Sequence, residues 1–210
     1  MRDLEVQTAP LSRFDRALKR AFDVIIASAA IVLFAIPMLV ASLAILIESG
    51  RPILFRQYRR GLGGRVFEIM KFRSMTVQEN GASIDQALRD DPRVTRLGRI
   101  LRRTSMDELP QFFNVLRGDM SIVGPRPHAL AHDNQYDALI ETYAYRSHVK
   151  PGITGWAQIN GLRGEIRDLS DMEARVDHDL WYINHWSIWL DLRILLITAT
   201  KMLLIDKNAY

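Results

Sequence analysis

Residues 24–47 read Val-Ile-Ile-Ala-Ser-Ala-Ala-Ile-Val-Leu-Phe-Ala-Ile-Pro-Met-Leu-Val-Ala-Ser-Leu-Ala-Ile-Leu-Ile, an uncharged apolar run interrupted by Pro37. As one helix it would be ~36 Å long, against a hydrocarbon core of ~30 Å. Two features argue against a simple crossing. Basic residues flank both ends: Arg13, Arg16, Lys19 and Arg20 before it, Arg51, Arg56, Arg59 and Arg60 after it. A spanning helix carries its basic excess on one side. Pro37 has no N–H to donate and clashes with the carbonyl four residues back. A kink there returns the chain to the side it entered, so a re-entrant helical hairpin is expected over 13–50, with a single span as the alternative. The run is too long for a cleaved signal peptide, and no small-residue cleavage site follows it.

The remainder is polar and basic. Over 210 residues the hydrophobic fraction is 48% and the charged fraction 25%, which excludes both a disordered chain and a multi-span membrane protein. That length suits one domain plus a membrane element. A net charge of +4 points to anionic partners: lipid, nucleotide phosphate or nucleic acid. There is no cysteine, so disulfides and thiolate metal sites are excluded.

Outside the apolar run the expected fold is α+β and mostly helical. Residues 1–12 read as a tail, and Ser12 as the cap of a helix entering the apolar run. Residues 51–210 read as the catalytic domain. Within it, 53–58 and 65–70 read as short strands joined through Gly61, Gly63 and Gly64 in a β-hairpin. Residues 76–92 read as a surface loop. Val94, Leu97, Ile100 and Leu101 are at helical spacing. Leu180 to Ile205 carries Trp181, Tyr182, Trp186 and Trp189 beside an apolar stripe. That pattern fits an interfacial amphipathic helix or a buried one equally.

Residues 102–128, RRTSMDELPQFFNVLRGDMSIVGPRPH, hold the chemistry. Asp107 and Glu108 are adjacent carboxylates among Arg102, Arg103, Arg117 and Arg126. One acid can attack phosphorus or hold a metal while the cations screen phosphate charge. Because Pro is tolerated in a first helical turn, Pro110 predicts a helix with Asp107 as its N-cap. Plain capping accounts for such a pair taken alone; the arginines tip it toward function. Pro125 and Pro127 stiffen the backbone around Arg126, whose fork suits a diphosphate. Lys71 and Arg73 alternate along an extended segment and should share a face. His128 and His132, lacking a carboxylate motif, read as surface histidines. The glycines of 150–165 would let backbone approach a ligand, with Trp156 stacking on it or filling a core. The Gly-Lys-Ser/Thr ending of a P-loop is absent.

Five motifs run in order: Lys19-Arg20-Ala21-Phe22-Asp23, Lys71-Phe72-Arg73-Ser74-Met75, Asp107-Glu108-Leu109-Pro110-Gln111, Gly124-Pro125-Arg126-Pro127 and Lys150-Pro151-Gly152-Ile153-Thr154-Gly155. Together, across Lys19 to Ile205, they resemble the bacterial sugar transferase family, the monotopic phosphoglycosyl transferases. The resemblance implies transfer of a sugar 1-phosphate from a UDP-sugar to polyprenyl (undecaprenyl) phosphate, with UMP leaving. The place implied is the cytoplasmic face of the bacterial inner membrane. It implies Asp107 as nucleophile and site of a covalent phosphosugar, and Glu108, with Asp107 beside it, as holder of Mg²⁺. It further implies Lys71, Arg73, Arg102 and Arg126 as cations around the donor, and Pro37 as the breaker of the membrane helix. Membrane lipids are implied partners, nucleic acid is not, and a homodimer is left open. Gly161-Leu162-Arg163-Gly164-Glu165 and Met172 to Val176 resemble the subgroup that starts exopolysaccharide and colanic-acid-like chains from UDP-glucose, or sometimes UDP-galactose. Many relatives place Ser before the proline; Ile36 stands here, so no hydroxyl can satisfy a freed carbonyl. Larger members carry a multi-span N-terminal region, and this chain resembles the catalytic unit. Two readings compete: direct transfer with Asp107 as general base, and a membrane-anchored anion-binding module.

Overall fold

Pro37 decides where the first helix stops. In the computed structural model, which describes residues 11–76, 91–164 and 166–203, α1 (Arg13–Leu33) ends at the residue whose carbonyl Pro37 would strike. Helix α2 (Ala35–Ser49) restarts at once, bent by 61°. Pro37 is then the third residue of α2, where no intrahelical acceptor awaits an N–H. Backbone bonds cross the break, Phe34 N to Ala30 O and Met38 N to Phe34 O, both at 2.8 Å. No single described helix is long and apolar enough to cross a membrane; the bent pair reaches that length and composition only when its two helices are taken together. Ser12 caps α1 as expected, its Oγ accepting from Asp15 N at 3.1 Å.

Lys19, Asp23, Ala27 and Ala30 share the buried face of α1. Lys19 donates to the Asp191 carboxylate at 2.6 Å and to Val123 O at 3.0 Å. Asp23 accepts from Ser121 Oγ at 2.8 Å and Ile122 N at 2.9 Å. Arg20 donates to Val115 O and Leu116 O at 2.6 and 2.7 Å, satisfying carbonyls at the end of a later helix. Lys19 and Arg20 were counted from sequence as flanking charges. Both instead turn inward and bolt α1 to the domain.

Strands β1 (Leu54–Arg60) and β2 (Val66–Phe72) form the expected antiparallel hairpin, Leu54 opposite Phe72. Helix α3 (Arg96–Arg103) follows, capped by Thr95, whose Oγ1 accepts from Gly98 N at 2.8 Å. The expected loop over 76–92 lies largely outside the described residues. Helix α4 (Gln111–Arg117) leads into β3 (Ser121–Val123), and α5 (Leu130–Leu139) into β4 (Gly152–Thr154).

Strands β3 and β4 pair in parallel, a second small sheet that hydropathy did not announce. Glycines make it: a Cβ on Gly152 would lie 2.1 Å from Gly124 N, and one on Gly124 would lie 2.4 Å from Lys150 O. These glycines let backbone meet backbone, where the sequence suggested backbone meeting ligand. Short α6 (Trp156–Ile159) precedes α7 (Leu169–Asn184) and α8 (Ile188–Leu203). The stretch from Leu180, read as one helix either interfacial or buried, is thus split between two. Leu180, Tyr182, Ile183 and Ile194 are buried, whereas Trp189 and Leu196 are exposed. Trp156 stacks on Trp181, ring centroids 4.6 Å apart.

The main core gathers α1, α4, β3, α7 and α8 around Val115, Met120, Ile122, Val176 and Leu180. A smaller core packs Ala41 and Ile45 of α2 on Phe72, Leu101 and Leu109, each full burial of a large side chain worth roughly 1.5–3 kcal/mol. This core, not a hydroxyl at position 36, holds the hairpin; Ile36 is 75% exposed.

Removing Lys19 strands a buried carboxylate. Lys19→Met is expected to cost about 3–5 kcal/mol in denaturant titrations. Asp191→Asn should cost a similar amount, and the double variant less than the sum. Full additivity would mean the pair is not coupled.

Candidate active site

The acid pair lies on one turn between α3 and α4. Ser105 is left-handed at φ 56°, and Met106–Glu108 then form a 3₁₀ turn. Glu108 N donates to Ser105 O at 3.1 Å and Leu109 N to Met106 O at 3.2 Å. The expected helix with Asp107 as N-cap is corrected: α4 begins at Gln111, with Pro110 itself at the N-cap. The tighter i to i+3 bonding takes up the first amides, so the Asp107 carboxylate is not consumed in capping. Among the described residues no hydrogen bond reaches it.

Glu108 is held by two cations. Its Oε1 accepts from Lys71 Nζ at 3.0 Å and from Arg126 Nη2 at 2.5 Å; Arg126 Nη1 stands 3.4 Å from Oε2. Lys71 is delivered by β2, whose edge is fixed to α4 through Asn114. That amide accepts from Met70 N at 3.0 Å and donates to Glu68 O at 2.7 Å, acting as a short stretch of partner strand. Arg126 is presented by the Pro125–Pro127 turn, which two further arginines hold from behind. Arg146 Nη2 donates to Arg126 O at 2.8 Å and Arg59 Nη1 to Pro127 O at 3.3 Å. Arg146 is itself paired with buried Asp179 at 2.8 Å.

The acids differ electrostatically. For Glu108, burial works against ionisation, but Arg126 and Lys71 outweigh it and hold the carboxyl well below the usual range. For Asp107, burial and the neighbouring Glu108 charge push the pKa up to about 6, against the pull of Lys71, Arg102 and Arg126. Burial also draws the Lys71 ammonium down, with Glu108 opposing. One acid is a fixed anion; the other changes charge near neutral pH.

Of the residues singled out from sequence, Lys71, Glu108 and Arg126 are brought into contact, and Asp107 and Arg102 adjoin them electrostatically. Arg73 is placed elsewhere. It lies just past β2 and donates through Nη2 to Ser49 O, Ser49 Oγ and Gly50 O, each at 2.7 Å, and through Nη1 to Arg51 O at 3.2 Å. Lys71 and Arg73 therefore do not share one target: the first meets the acid, the second closes the end of α2. Arg103 and Arg117 are exposed. His128 is buried, correcting the surface reading, with Nδ1 2.8 Å from Tyr143 Oη. Sequence reasoning missed Asn114, six residues after Glu108 but bonded to β2 far upstream, and Arg146 and Asp179, which lie far from the acid pair along the chain; none of the three belongs to a motif.

A charged carboxylate clasped by lysine and arginine, a second carboxylate beside it with no hydrogen-bond partner among the described residues, and a broken apolar helix packed alongside make equipment for phosphate chemistry at an apolar surface. The chain belongs to the bacterial sugar transferase family, whose model matches residues 14–204. It is 53% identical over 201 residues to the UDP-glucose:undecaprenyl-phosphate glucose-1-phosphate transferase of Escherichia coli (strain K12), covering 96% of this chain and 43% of that protein. A protein of the same name from Caulobacter vibrioides is 54% identical over 192 residues, covering 91% and 72%. The exopolysaccharide production protein PSS of Rhizobium leguminosarum bv. phaseoli is 42% identical over 193 residues, covering 90% and 96%. This chain therefore spans about two-fifths of the length of the Escherichia coli relative.

A raised carboxyl pKa has a cost at neutral pH. The folded state holds the Asp107 proton more tightly than the unfolded chain, whose value is near 3.8. That contribution is full below 3.8 and lost as pH rises through about 6. Asp107→Asn is therefore expected to stabilise the protein at pH 7.5, on the order of 1–3 kcal/mol, with the gap closing near pH 4. Melting curves at the two pH values check this; an equal gap at both would remove Asp107 as the shifted group.

Proposed function

We propose that this chain transfers a sugar 1-phosphate from a UDP-sugar to undecaprenyl phosphate and releases UMP, with UDP-glucose the first donor and UDP-galactose the next. The observation that carries the reading is the division of labour between the acids: Glu108 is held through Oε1 by Lys71 and Arg126, while no hydrogen bond reaches the Asp107 carboxylate among the described residues. Relatives named as UDP-glucose:undecaprenyl-phosphate glucose-1-phosphate transferases supply the substrate classes.

In this reading an Asp107 carboxylate oxygen attacks the β-phosphorus of the donor. A P–O bond forms, the bond to UMP breaks, and UMP takes the electron pair. An oxygen of the lipid phosphate then attacks the same phosphorus and restores the Asp107 carboxylate. Lys71, Arg102 and Arg126 screen the phosphate charge that would otherwise repel an anionic nucleophile. Splitting the transfer lets one site serve a soluble donor and a lipid acceptor in turn.

The donor set fits Mg²⁺. It offers the hard carboxylate oxygens of Glu108 and Asp107, Oε2 of Glu108 having only the 3.4 Å contact with Arg126 among the described residues. That suits an ion bound by one or two carboxylates plus substrate phosphate. When bound by Glu108 and Asp107, Mg²⁺ would supply charge neutralisation at the phosphate oxygens.

The hairpin belongs to the same reading. Ile25, Val32, Leu33, Leu39, Val40, Leu43 and Ile47 expose aliphatic surface along α1 and α2. Large contiguous apolar surface marks a membrane or protein interface. The chain then lies on the cytoplasmic face of the inner membrane, α1 and α2 entering one leaflet and returning at Pro37. A second reading keeps the reaction but makes Asp107 a general base in direct transfer; a pKa near 6 suits a base.

The test is UMP release by purified protein in nanodiscs, with Mg²⁺ and UDP-glucose, with and without undecaprenyl phosphate. Sustained release with lipid, a single burst without it, and loss of both in Asp107→Asn are expected. Glu108→Gln should retain folding but weaken the Mg²⁺ dependence. Lipid-dependent turnover without a burst selects direct transfer. Silence with UDP-glucose, UDP-galactose and N-acetylated donors overturns the reading.

A further inference from the structure

The arginines around the acid pair are mostly committed to the protein itself. Arg20 closes α4, Arg73 closes α2, and Arg59 and Arg146 hold the Pro125–Pro127 turn. Arg126 is clasped to Glu108. Arg163 differs. It is half-buried, and among the described residues its only hydrogen bond runs from Nη2 to Ser105 Oγ at 2.7 Å. A guanidinium is a fork of several N–H donors, most of which here have no acceptor among the described residues. None of its nitrogens is among the buried, unpartnered polar atoms, so the remaining donors stay accessible.

Its position is defined by the residue it touches. Ser105 stands two places before Asp107 and is the one non-glycine residue with positive φ among the described residues. Left-handed backbone at a serine is held by its surroundings, and such positions gather at functional sites. Arg163 is one such support. Its charge also reaches Glu108, where it adds to the pull of Arg126 and Lys71. Arg163 rides on a turn between Gly161, at φ 89°, and Gly164; a Cβ on either would meet nothing within 4 Å. Arg175 anchors the turn from beneath, donating to Gly164 O at 3.0 Å. The result is a cation with open donors at the start of the turn that carries the acid pair, its charge felt by Glu108, on a segment with room to adjust.

We propose that Arg163 is a further catalytic residue, its guanidinium binding a phosphate oxygen of the reacting substrates over the Ser105–Glu108 turn. The inference rests on the transfer reading above. The ligand chemistry is a phosphate oxyanion, and two sources offer it: the donor diphosphate and the lipid phosphate. A planar fork suits either.

The half-reactions separate the sources. Arg163→Gln, Arg163→Lys and Ser105→Ala are compared with wild type for the lipid-free UMP burst and for the KM of each substrate. A burst slowed roughly 10- to 100-fold in Arg163→Gln, with a raised KM for UDP-glucose and partial rescue by Arg163→Lys, supports donor contact, being the effect of one charge-assisted hydrogen bond. An unchanged burst with a similarly raised KM for undecaprenyl phosphate supports acceptor contact. Wild-type behaviour in both half-reactions, or a Ser105→Ala variant that reproduces the whole defect, overturns the proposal and leaves Arg163 as a support of the turn. A second measurement does not depend on the variants folding. Wild-type protein is treated with phenylglyoxal, and Arg163 modification is followed by mass spectrometry with UDP-glucose or undecaprenyl phosphate present. Protection by either supports the proposal; modification unaffected by both overturns it. Absence of UMP release from wild type would count against the transfer reading itself, and the protection result would still decide Arg163.

Discussion

The buried contact between Lys19 and Asp191 is the constraint from which the arrangement follows. It joins the first described helix to the last, and the same ammonium takes Val123 O at the end of β3. Two residues later the chain enters the Pro125–Pro127 turn that presents Arg126. An ion pair removed from water repays its desolvation only when the remaining polar valences are filled. Here Tyr182 Oη donates to Asp191 at 2.7 Å and Trp186 Nε1 donates at 3.2 Å, so the carboxylate is fully engaged. The bent helix pair is thus held to the domain by polar bonds from α1 and by the small apolar core under α2.

The same economy of charge separates the two acids. They are neighbours on one turn and almost equally buried, yet the cations are directed to one of them. Once Glu108 has absorbed Lys71 and Arg126, its negative charge becomes part of what keeps Asp107 near neutrality. A symmetrical sharing of the cations would have left both acids ionised and neither adjustable. The asymmetry comes from the fold: β2, pinned by Asn114, brings Lys71 to Glu108, and the arginine-backed turn brings Arg126 to the same oxygen.

Local rules carried the sequence reading a long way. Pro37 located the break, Ser12 the start of α1, and the glycines after Arg60 the hairpin, because each acts within a turn of itself. Of the four arginines that crowd 102–128, Arg126 meets Glu108 and Arg102 adjoins Asp107, while Arg103 and Arg117 are exposed. What stayed hidden depends on pairs far apart in the chain. Lys19 and Asp191 are 172 residues apart, and neither carries a local sign of its partner. Gly124 and Gly152 read as loop glycines until the strands are laid side by side. Pro110 was compatible with two helix starts, and the 3₁₀ turn chosen by the fold differs from an α-helical first turn by a single hydrogen-bond register. Arg73 was read with Lys71 as a pair for one target, but its guanidinium is taken up by carbonyls at the end of α2, partners 23 and 24 residues away that alternation along a strand does not reveal.

That misplaced arginine has a mechanical meaning. Lys71 touches the acid, and Arg73, at most ~7 Å further along the chain, grips the last carbonyls of α2. Between them lies Phe72, buried in the small core beneath the same helix. A link this short behaves as a rigid strut, so tilt of the hairpin and placement of the acid pair are one coordinate. With α1 and α2 seated in a leaflet as proposed, the height of the reacting carboxylate above the acyl chains is set by the protein's own geometry, much as a gauge block sets a tool, and a bilayer of different thickness must deform to meet it.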